Sequence, residues 1–156
     1  MKPKIIVPDA NVFAKLLHPE SDSNEAKIFF KTCAARKIRL VVPELFKYEI
    51  AEVTRTKNEQ LLKTLALFDA HARSILTVAS PNTEAWLLAE EISKSGHIKS
   101  GFPSIYDSIY QALAIQLDAI FLTADKRHYS KTQGYGHIAL LEDWESVLTG
   151  AAPTSH

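Results

Sequence analysis

The sequence predicts one α/β domain of three layers, in which a parallel sheet of about five strands lies between helices. Short apolar runs rich in β-branched residues alternate along the chain with longer segments of helical periodicity. Strands that alternate with helices pair in parallel, and the helices then cover both faces of the sheet. The length of 156 residues fits one such domain, and a composition of 46% hydrophobic and 23% charged residues is typical of globular proteins.

Five apolar runs are too short to form helices and are predicted to be buried strands. The first, Ile5-Ile6-Val7-Pro8, leads directly into Asp9 and a helical pattern, as is typical of a strand that feeds a helix. The predicted strands are residues 4–8, 40–42, 75–79, 119–123 and 138–141.

Apolar residues at intervals of three and four predict the helices between these strands. In one helix Ala26, Phe29, Phe30 and Cys33 share a face, so we assign Cys33 to the core. Residues 96–103 contain two glycines and a proline and are predicted to be a loop. The predicted helices are residues 10–17, 24–36, 44–56, 59–73, 83–95, 104–118 and 144–148.

Two apolar stripes, Leu61-Leu62-Leu65 and Trp86-Leu87-Leu88, are also assigned to the core, which is the commoner role of such stripes. The residues after the last helix carry no periodicity. We therefore expect one domain over residues 1–149, followed by a flexible tail over residues 150–156.

The charge of the chain is balanced, because the sequence contains eighteen basic and eighteen acidic residues. No global positive field therefore attracts nucleic acid or an anionic membrane, and any site for a polyanion has to be local. The single cysteine cannot form an internal disulfide, and no apolar run approaches the ~18 residues of a membrane span. No basic and apolar leader precedes Asp9. We expect a cytoplasmic protein that makes no contact with a membrane.

Two acidic residues follow predicted strands at the edge where parallel α/β sheets form their sites, beyond the carboxyl ends of the strands. Asp9 follows the first strand, and Asp125 comes just after the fourth. Each has another interpretation, since Asp9 could cap the next helix and Asp125 could be a turn residue that bonds its own backbone. Taken alone, neither residue defines a site.

A third acid, Glu49, lies beside the apolar face of its helix, in register with Leu45 and Val53. A buried and unpaired carboxylate is costly, so its presence there favours a function. Glu44 lies in the first turn, where the helix dipole favours an acid, and Glu52 points to a more polar side. We therefore assign Glu44 and Glu52 to the solvated surface.

A fourth acid, Asp107, lies in an apolar helix that has to pack closely on the sheet, although a first-turn acid is also stabilised by the helix dipole. If Asp9, Glu49, Asp107 and Asp125 converge, two like charges ~4 Å apart repel by roughly 4 kcal/mol at a dielectric near 20. Such a cluster requires a cation. Oxygen ligands without cysteine or histidine indicate Mg²⁺ or Mn²⁺, and this kind of site serves hydrolysis at phosphorus.

Four segments around these acids resemble, in the family's order, the four acidic motifs of PIN-domain nucleases. They are Val7-Pro8-Asp9-Ala10-Asn11, Pro43–Glu49, residues 106–114 and Thr123-Ala124-Asp125-Lys126. The resemblance spans residues 4 to about 145, and the lack of added domains makes the chain most similar to VapC-type toxins of toxin–antitoxin pairs.

The resemblance implies a PIN-like fold and an endoribonuclease that depends on Mg²⁺ or Mn²⁺. It also implies an RNA substrate, an antitoxin protein as partner and a homodimer. Where some relatives carry another acid two residues after the fourth, this chain has Arg127. The catalytic and metal-binding residues would be Asp9, Glu49, Asp107 and Asp125, with Asn11 and Thr123 in support of the first and fourth acids.

A basic and aromatic segment, residues 126–131, follows Asp125 directly. We predict a loop in which Lys126 and Arg127 hold RNA phosphates and Tyr129 stacks on a base. The alternative interpretation is a solvated charged loop.

Other functions remain to be weighed against a nuclease. A haloacid dehalogenase-type phosphatase needs a second acid at the position of Asn11, and a receiver domain needs an aspartate within residues 76–80, where the chain has none. The remaining alternatives are a PIN-like module that binds RNA or protein without catalysis, and a PIN nuclease of RNA processing that is not a toxin.

Overall fold

The computed structural model describes residues 5–57 and 60–150. The start of the first predicted strand at residue 4, the start of a helix at residue 59 and the predicted tail beyond Gly150 lie outside these residues. The strands are β1 (Ile5–Pro8), β2 (Arg39–Val42), β3 (Leu76–Val78), β4 (Ile120–Thr123) and β5 (Ile138–Leu140).

Helices follow or separate all of these strands. They are α1 (Ala10–Leu17), α2 (Ser23–Ala35), α3 (Leu45–Thr56), α4 (Leu61–Ile75), α5 (Thr83–Ser93), α6 (Ile105–Gln116), α7 (Lys126–Thr132) and α8 (Trp144–Thr149). Two short 3₁₀ turns, Gln133–Tyr135 and Leu141–Asp143, flank β5. None of the helices within the described ranges is long and apolar enough to cross a membrane.

The five strands form one parallel sheet in the order β3-β2-β1-β4-β5. The central strand β1 pairs with β2 through Ile6 and Leu40, and with β4 through Val7 and Phe121. This confirms the predicted three-layer α/β class. Because β1 and β4 are parallel neighbours, the residues that follow them lie at the same edge of the sheet, where the Asp9 amide donates to the Leu122 carbonyl at 2.8 Å.

Aromatic side chains fill the core where the first four helices meet. Phe13 of α1 makes edge-to-face contacts at 5.5 to 5.7 Å with Phe30, Phe46 and Phe68, which come from α2, α3 and α4. Cys33 is fully buried, and burial raises the pKa of its thiol to about 12. Its assignment to the core is therefore confirmed, and its thiol is unreactive.

The assignment of both apolar stripes to the core is wrong for their outer members. Leu62 is 83% exposed and Leu87 is 62% exposed, while Leu61 and Trp86 are also open to solvent. Each helix buries only one face, and on α5 that face consists of Ala85, Ala89 and Ile92, of which the two alanines are small. Small side chains allow α5 to approach α6 closely, which turns the larger residues outward.

Two other predictions differ from the structure for local reasons. Helix α4 continues to Ile75, so the strand predicted over residues 75–79 is the shorter Leu76–Val78. The segment after Asp125 is the helix α7 instead of a loop. The Asp125 side chain caps this helix by accepting from the amides of Arg127 and His128 at 3.0 Å each, which satisfies donors that a loop would leave to water.

Candidate active site

Asp9 directly follows the central strand β1 and is the first residue of the candidate site. It caps α1, its Oδ1 accepts a long 3.5 Å hydrogen bond from the Asn11 amide, and the residue is only 3% exposed. Its Oδ2 accepts a 2.7 Å hydrogen bond from the Thr123 hydroxyl at the end of β4. Both the cap and the strand-edge position expected from the sequence are therefore present in one residue.

Thr123 and Asn11 connect the two strand ends around Asp9. The Thr123 hydroxyl oxygen accepts from the Asp125 amide at 3.0 Å and from Asn11 Nδ2 at 3.5 Å. Asn11 Oδ1 in turn accepts from the Ala124 amide at 3.3 Å. Thr123 therefore contacts both Asp9 and Asp125, and Asn11 contacts Asp9, as expected of residues that support these acids.

Two helices bring further carboxylates to Asp9. Glu49 extends from α3, and Asp107 lies in the first turn of α6, where the Ser104 hydroxyl caps the helix by accepting from the Asp107 amide at 3.0 Å. One carboxylate oxygen from each of Asp9, Glu49 and Asp107 lies within 4.8 Å of the other two. Three of the four acids predicted from the sequence therefore meet in one cluster.

Electrostatics within this cluster disfavours the charged forms of its members. Burial and the carboxylates of Asp107 and Glu49 raise the pKa of Asp9 to about 8 against the hydrogen bond from Thr123. Burial is also the largest cause of the raised pKa values of Glu49 and Asp107. Among the described residues, none of the three carboxylates forms an ion pair. The cluster thus has no ion-pair partner among the described residues.

The residues of the cluster fit a hard divalent cation. All its donors are carboxylate oxygens, which Mg²⁺ and Mn²⁺ prefer. Glu49 Oε1 is buried, and no described residue gives it a hydrogen bond, so this oxygen is free to coordinate a metal. Asp9, Glu49 and Asp107 would hold the ion.

The fourth predicted acid, Asp125, lies outside the group of three. Its Oδ1 accepts the backbone amides of α7, as in the alternative interpretation of a residue that bonds its own backbone. It is still near the cluster, because its charge contributes to the raised pKa of Asp107. The structure therefore places Asp125 at the border of the cluster, beside Asp107.

The two acids assigned to the surface lie away from the cluster. Glu44 is exposed and accepts a hydrogen bond from the Ser80 hydroxyl. Glu52 is exposed and pairs with Arg55 one turn later on the same helix. Both residues serve as control positions for the acids of the cluster.

The basic and aromatic residues after Asp125 lie on α7. Lys126 is largely exposed and lies 3.5 Å from Glu142, Arg127 is exposed, and Tyr129 is half-buried. The two cations are thus accessible to a polyanion at the border of the site, whereas Tyr129 presents only part of its ring.

Sequence reasoning did not predict the buried polar contacts that join α6 to the segment after Asp125. Gln111 Nε2 donates to the carbonyls of Thr132 and Gly136 at 3.0 Å each, and its Oε1 is 3.1 Å from His128 Nε2. Since Oε1 can only accept, His128 Nε2 carries the proton of this contact. Burial lowers the pKa of His128.

The signal that could have identified them is helical spacing. Tyr110 and Gln111 follow Asp107 by three and four residues, so they share its side of α6 in an otherwise apolar segment. Tyr110 and Gln111 are both fully buried.

Comparison with known proteins agrees with this architecture. VapBC2 from Rickettsia felis, crystallised bound to a DNA fragment from their promoter, has a chain that matches with a TM-score of 0.67 and 12% identity, over 87% of this chain and 96% of that chain. VapC20 from Mycobacterium tuberculosis, described as a Sarcin-Ricin loop cleaving toxin, matches with a TM-score of 0.60 and 14% identity, over 80% of this chain and 93% of that chain. At these identities the similarity is one of fold.

Comparison by sequence identifies the family. No curated protein matches the sequence. The family model described as PIN domain matches residues 6–134, a range that includes Asp9, Glu49, Asp107 and Asp125. The match covers most of the chain, and the expected resemblance is confirmed: the chain belongs to the PIN domain family.

Proposed function

We propose that this protein is an endoribonuclease that depends on Mg²⁺ or Mn²⁺, hydrolyses RNA phosphodiester bonds and acts as the toxin of a toxin–antitoxin pair. The convergence of Asp9, Glu49 and Asp107 within 4.8 Å, without an ion pair among the described residues, is the observation that carries the proposal. Membership of the PIN domain family and the VapC fold of the similar structures support it.

Each residue of the site has a part in this reaction. A divalent cation supplies a bound water of lowered pKa and stabilises the negative charge that develops at phosphorus. Asp9, Glu49 and Asp107 would hold the cation through their carboxylate oxygens. Thr123 and Asn11 hold Asp9 in place. Asp125, beside Asp107, completes the set of acids by orienting the attacking water.

The proposed substrate is single-stranded or looped RNA, because a duplex hides its bases while loops expose both bases and phosphates. Lys126 and Arg127 at the start of α7 are accessible cations next to Asp125, and they would bind phosphates. Tyr129, which is half-buried, would stack a base against its open side. The neutral net charge of the chain makes such a local group of cations necessary.

The proposed partners are an antitoxin and a second copy of the chain. The similarity to VapBC2, which was crystallised as an assembly on promoter DNA, supports an antitoxin. Leu62 on α4 and Leu87 on α5 are exposed, and a partner protein would cover these apolar side chains. We place the protein in the cytoplasm, where an RNA substrate is available.

The test is RNA cleavage by the purified protein on end-labelled single-stranded and hairpin oligonucleotides. We expect cleavage in Mn²⁺ or Mg²⁺, none in EDTA, and none by Asp9→Asn, while the matched surface variant Glu52→Gln retains the rate of the unmodified protein. Cleavage that persists in EDTA or in Asp9→Asn contradicts the mechanism. Binding of RNA without cleavage, at any metal concentration, would favour a non-catalytic PIN-like module.

A further inference from the structure

The hydroxyl of Tyr110 is buried among the three carboxylates of the cluster. Tyr110 follows Asp107 by three residues on α6, and the residue is fully buried. Its ring stacks on Phe121 of β4, with centroids 5.4 Å apart and an interplanar angle of 25°. Because the backbone of α6 and the stack on Phe121 restrain the ring, the hydroxyl has little freedom to choose another partner.

Two buried polar atoms at this point lack a hydrogen bond. They are Tyr110 Oη and Glu49 Oε1, neither of which has a hydrogen bond of acceptable geometry to any described residue. The two side chains are nevertheless neighbours, because the nearby Tyr110 hydroxyl lowers the pKa of Glu49 and the Glu49 carboxylate raises the pKa of Tyr110. A buried donor without a partner therefore lies beside the Glu49 carboxylate, whose Oε1 is itself free of hydrogen bonds.

The hydroxyl keeps its proton in these surroundings. The ordinary pKa of a tyrosine hydroxyl is about 10, so the group is protonated near neutral pH. A protonated hydroxyl next to a carboxylate can donate one hydrogen bond. It can therefore hold one oxygen of Glu49 and leave the other free.

We propose that Tyr110 is a positioning residue of the metal site, whose hydroxyl donates to one carboxylate oxygen of Glu49 and so directs the other oxygen to the cation. The inference rests on the proposed metal site. Groups that orient a metal ligand in this way are known to matter almost as much as the ligand, and their loss weakens metal binding by about 10- to 100-fold.

A purely structural role of Tyr110 makes a different prediction. Phenylalanine at this position keeps the ring and its stack on Phe121, and it removes a buried hydroxyl that has no satisfied hydrogen bond. If Tyr110 only fills the core, Tyr110→Phe leaves metal binding unchanged. If it positions Glu49, the same change weakens metal binding although the metal-free fold stays as stable as before or becomes more stable.

The experiment measures Mn²⁺ binding by the full chain, with free Mn²⁺ followed by electron paramagnetic resonance, and thermal unfolding in EDTA. The variants are Tyr110→Phe, Glu49→Gln and the double variant. The matched control is Tyr135→Phe, because the Tyr135 hydroxyl binds the Glu91 carbonyl of α5 and has no contact with the cluster. We expect the Kd for Mn²⁺ to rise about tenfold in Tyr110→Phe, to stay unchanged in Tyr135→Phe, and to be the same in the double variant as in Glu49→Gln.

The outcomes separate this inference from the proposed function. An unchanged Kd in Tyr110→Phe overturns the positioning role, as does a further loss of affinity when Tyr110→Phe is added to Glu49→Gln. A fall in the melting temperature of metal-free Tyr110→Phe, with the same Kd for Mn²⁺, assigns Tyr110 to the core alone. Failure of the unmodified protein to bind Mn²⁺ contradicts the metal site itself, and the inference with it.

Discussion

The Thr123 hydroxyl donates a 2.7 Å hydrogen bond to Asp9 Oδ2 and joins residues 114 positions apart in the sequence. The bond crosses from the end of β4 to the end of β1, the two central neighbours of the sheet. Because Thr123 Oγ1 also accepts from the Asp125 amide, one hydroxyl connects the first and fourth acidic residues. Parallel pairing of the two strands is what makes this connection possible.

Replacement of Thr123 by valine tests this connection. Valine keeps the shape of threonine but leaves the buried Asp9 Oδ2 without its donor, so we expect a loss of about 1–3 kcal/mol in the free energy of unfolding and reduced RNA cleavage. Thr123→Ser restores the hydroxyl and should restore both. Thr56→Val is the control, since the Thr56 hydroxyl makes only an exposed bond to its own helix. If urea unfolding gives the same free energy for Thr123→Val and Thr56→Val, the hydrogen bond to Asp9 does not stabilise the fold.

Replacement of Asp9 by asparagine should abolish cleavage without unfolding the chain. Asparagine cannot ionise beside Asp107 and Glu49, while its amide oxygen can still accept from Thr123. We expect the cleavage rate to fall by several orders of magnitude and the metal-free protein to be at least as stable as before. Glu44→Gln, at an exposed position on the same sheet edge, should change neither quantity measurably. A cleavage rate of Asp9→Asn within a few fold of the unmodified protein would disprove the role of Asp9.

The metal-free protein should lose stability as the pH rises. The folded chain keeps the Asp9 carboxyl protonated up to a pKa of about 8, whereas the ordinary value is 3.8. Stability from this proton is complete below the ordinary pKa and is lost as the pH rises through the folded pKa. One proton released on unfolding corresponds to a slope of about 1.4 kcal/mol per pH unit between these values.

Urea unfolding in EDTA, repeated between about pH 5 and pH 8, measures this slope. Glu49 and Asp107 also have raised pKa values and act in the same direction as Asp9. Asp9→Asn should therefore reduce the slope without removing it. His128, whose pKa is lowered by burial, acts in the opposite direction over this range, so the decisive comparison is between the two proteins. An equal slope for Asp9→Asn and the unmodified protein would show that Asp9 does not hold a proton in the folded state.

Addition of Mn²⁺ should stabilise the protein, because a cation relieves the repulsion among the three carboxylates only when the chain is folded. At a concentration about 100 times its Kd, mass action predicts a gain of about 2.7 kcal/mol. For a chain of this size, each kcal/mol of added stability raises the melting temperature by roughly 2–4 °C. The shift should disappear in EDTA and in Asp9→Asn. A melting curve that millimolar Mn²⁺ leaves in place would exclude a metal site in the cluster.

Replacement of Lys126 and Arg127 by alanine should weaken RNA binding while the chemistry remains. Both are accessible at the start of α7 beside Asp125, and each lost phosphate contact also lowers the dependence of binding on salt. We expect KM to rise several-fold with little change in kcat. Lys94→Ala is the control, because Lys94 is an equally exposed lysine on α5 that pairs with Glu90. If Lys126→Ala and Lys94→Ala raise KM equally, the effect is due to the change in net charge alone.

Part of the candidate site could be predicted because its signals are local. Asp9 directly follows an apolar strand, and Glu49 lies beside the buried face of its helix, where an unpaired carboxylate needs an explanation. Parallel strands place their carboxyl ends at one edge, so the meeting of Asp9 with residues near the end of β4 followed from the class of fold. The meeting of Asp9, Glu49 and Asp107 agrees with that reasoning.

Other features depended on choices that local sequence does not encode. Asp125 can direct both carboxylate oxygens to the cluster or use one of them to cap α7, and its Oδ1 accepts from two backbone amides of α7. The exposure of Leu62 and Leu87 followed from how closely α5 and its neighbours pack, which decides the buried face of each helix.

The sequence by itself determined the parallel α/β class, the order of its elements and the acids that follow β1 and lie on α3 and α6, because periodicity and strand ends are properties of neighbouring residues. Only the tertiary structure decided which polar groups share a buried space. Tyr110 shows the difference: its spacing from Asp107 is visible in the sequence, but its neighbour Glu49 comes from another helix. The Tyr110 hydroxyl can act on Glu49 only because the fold buries both groups and leaves the hydroxyl without another hydrogen bond among the described residues.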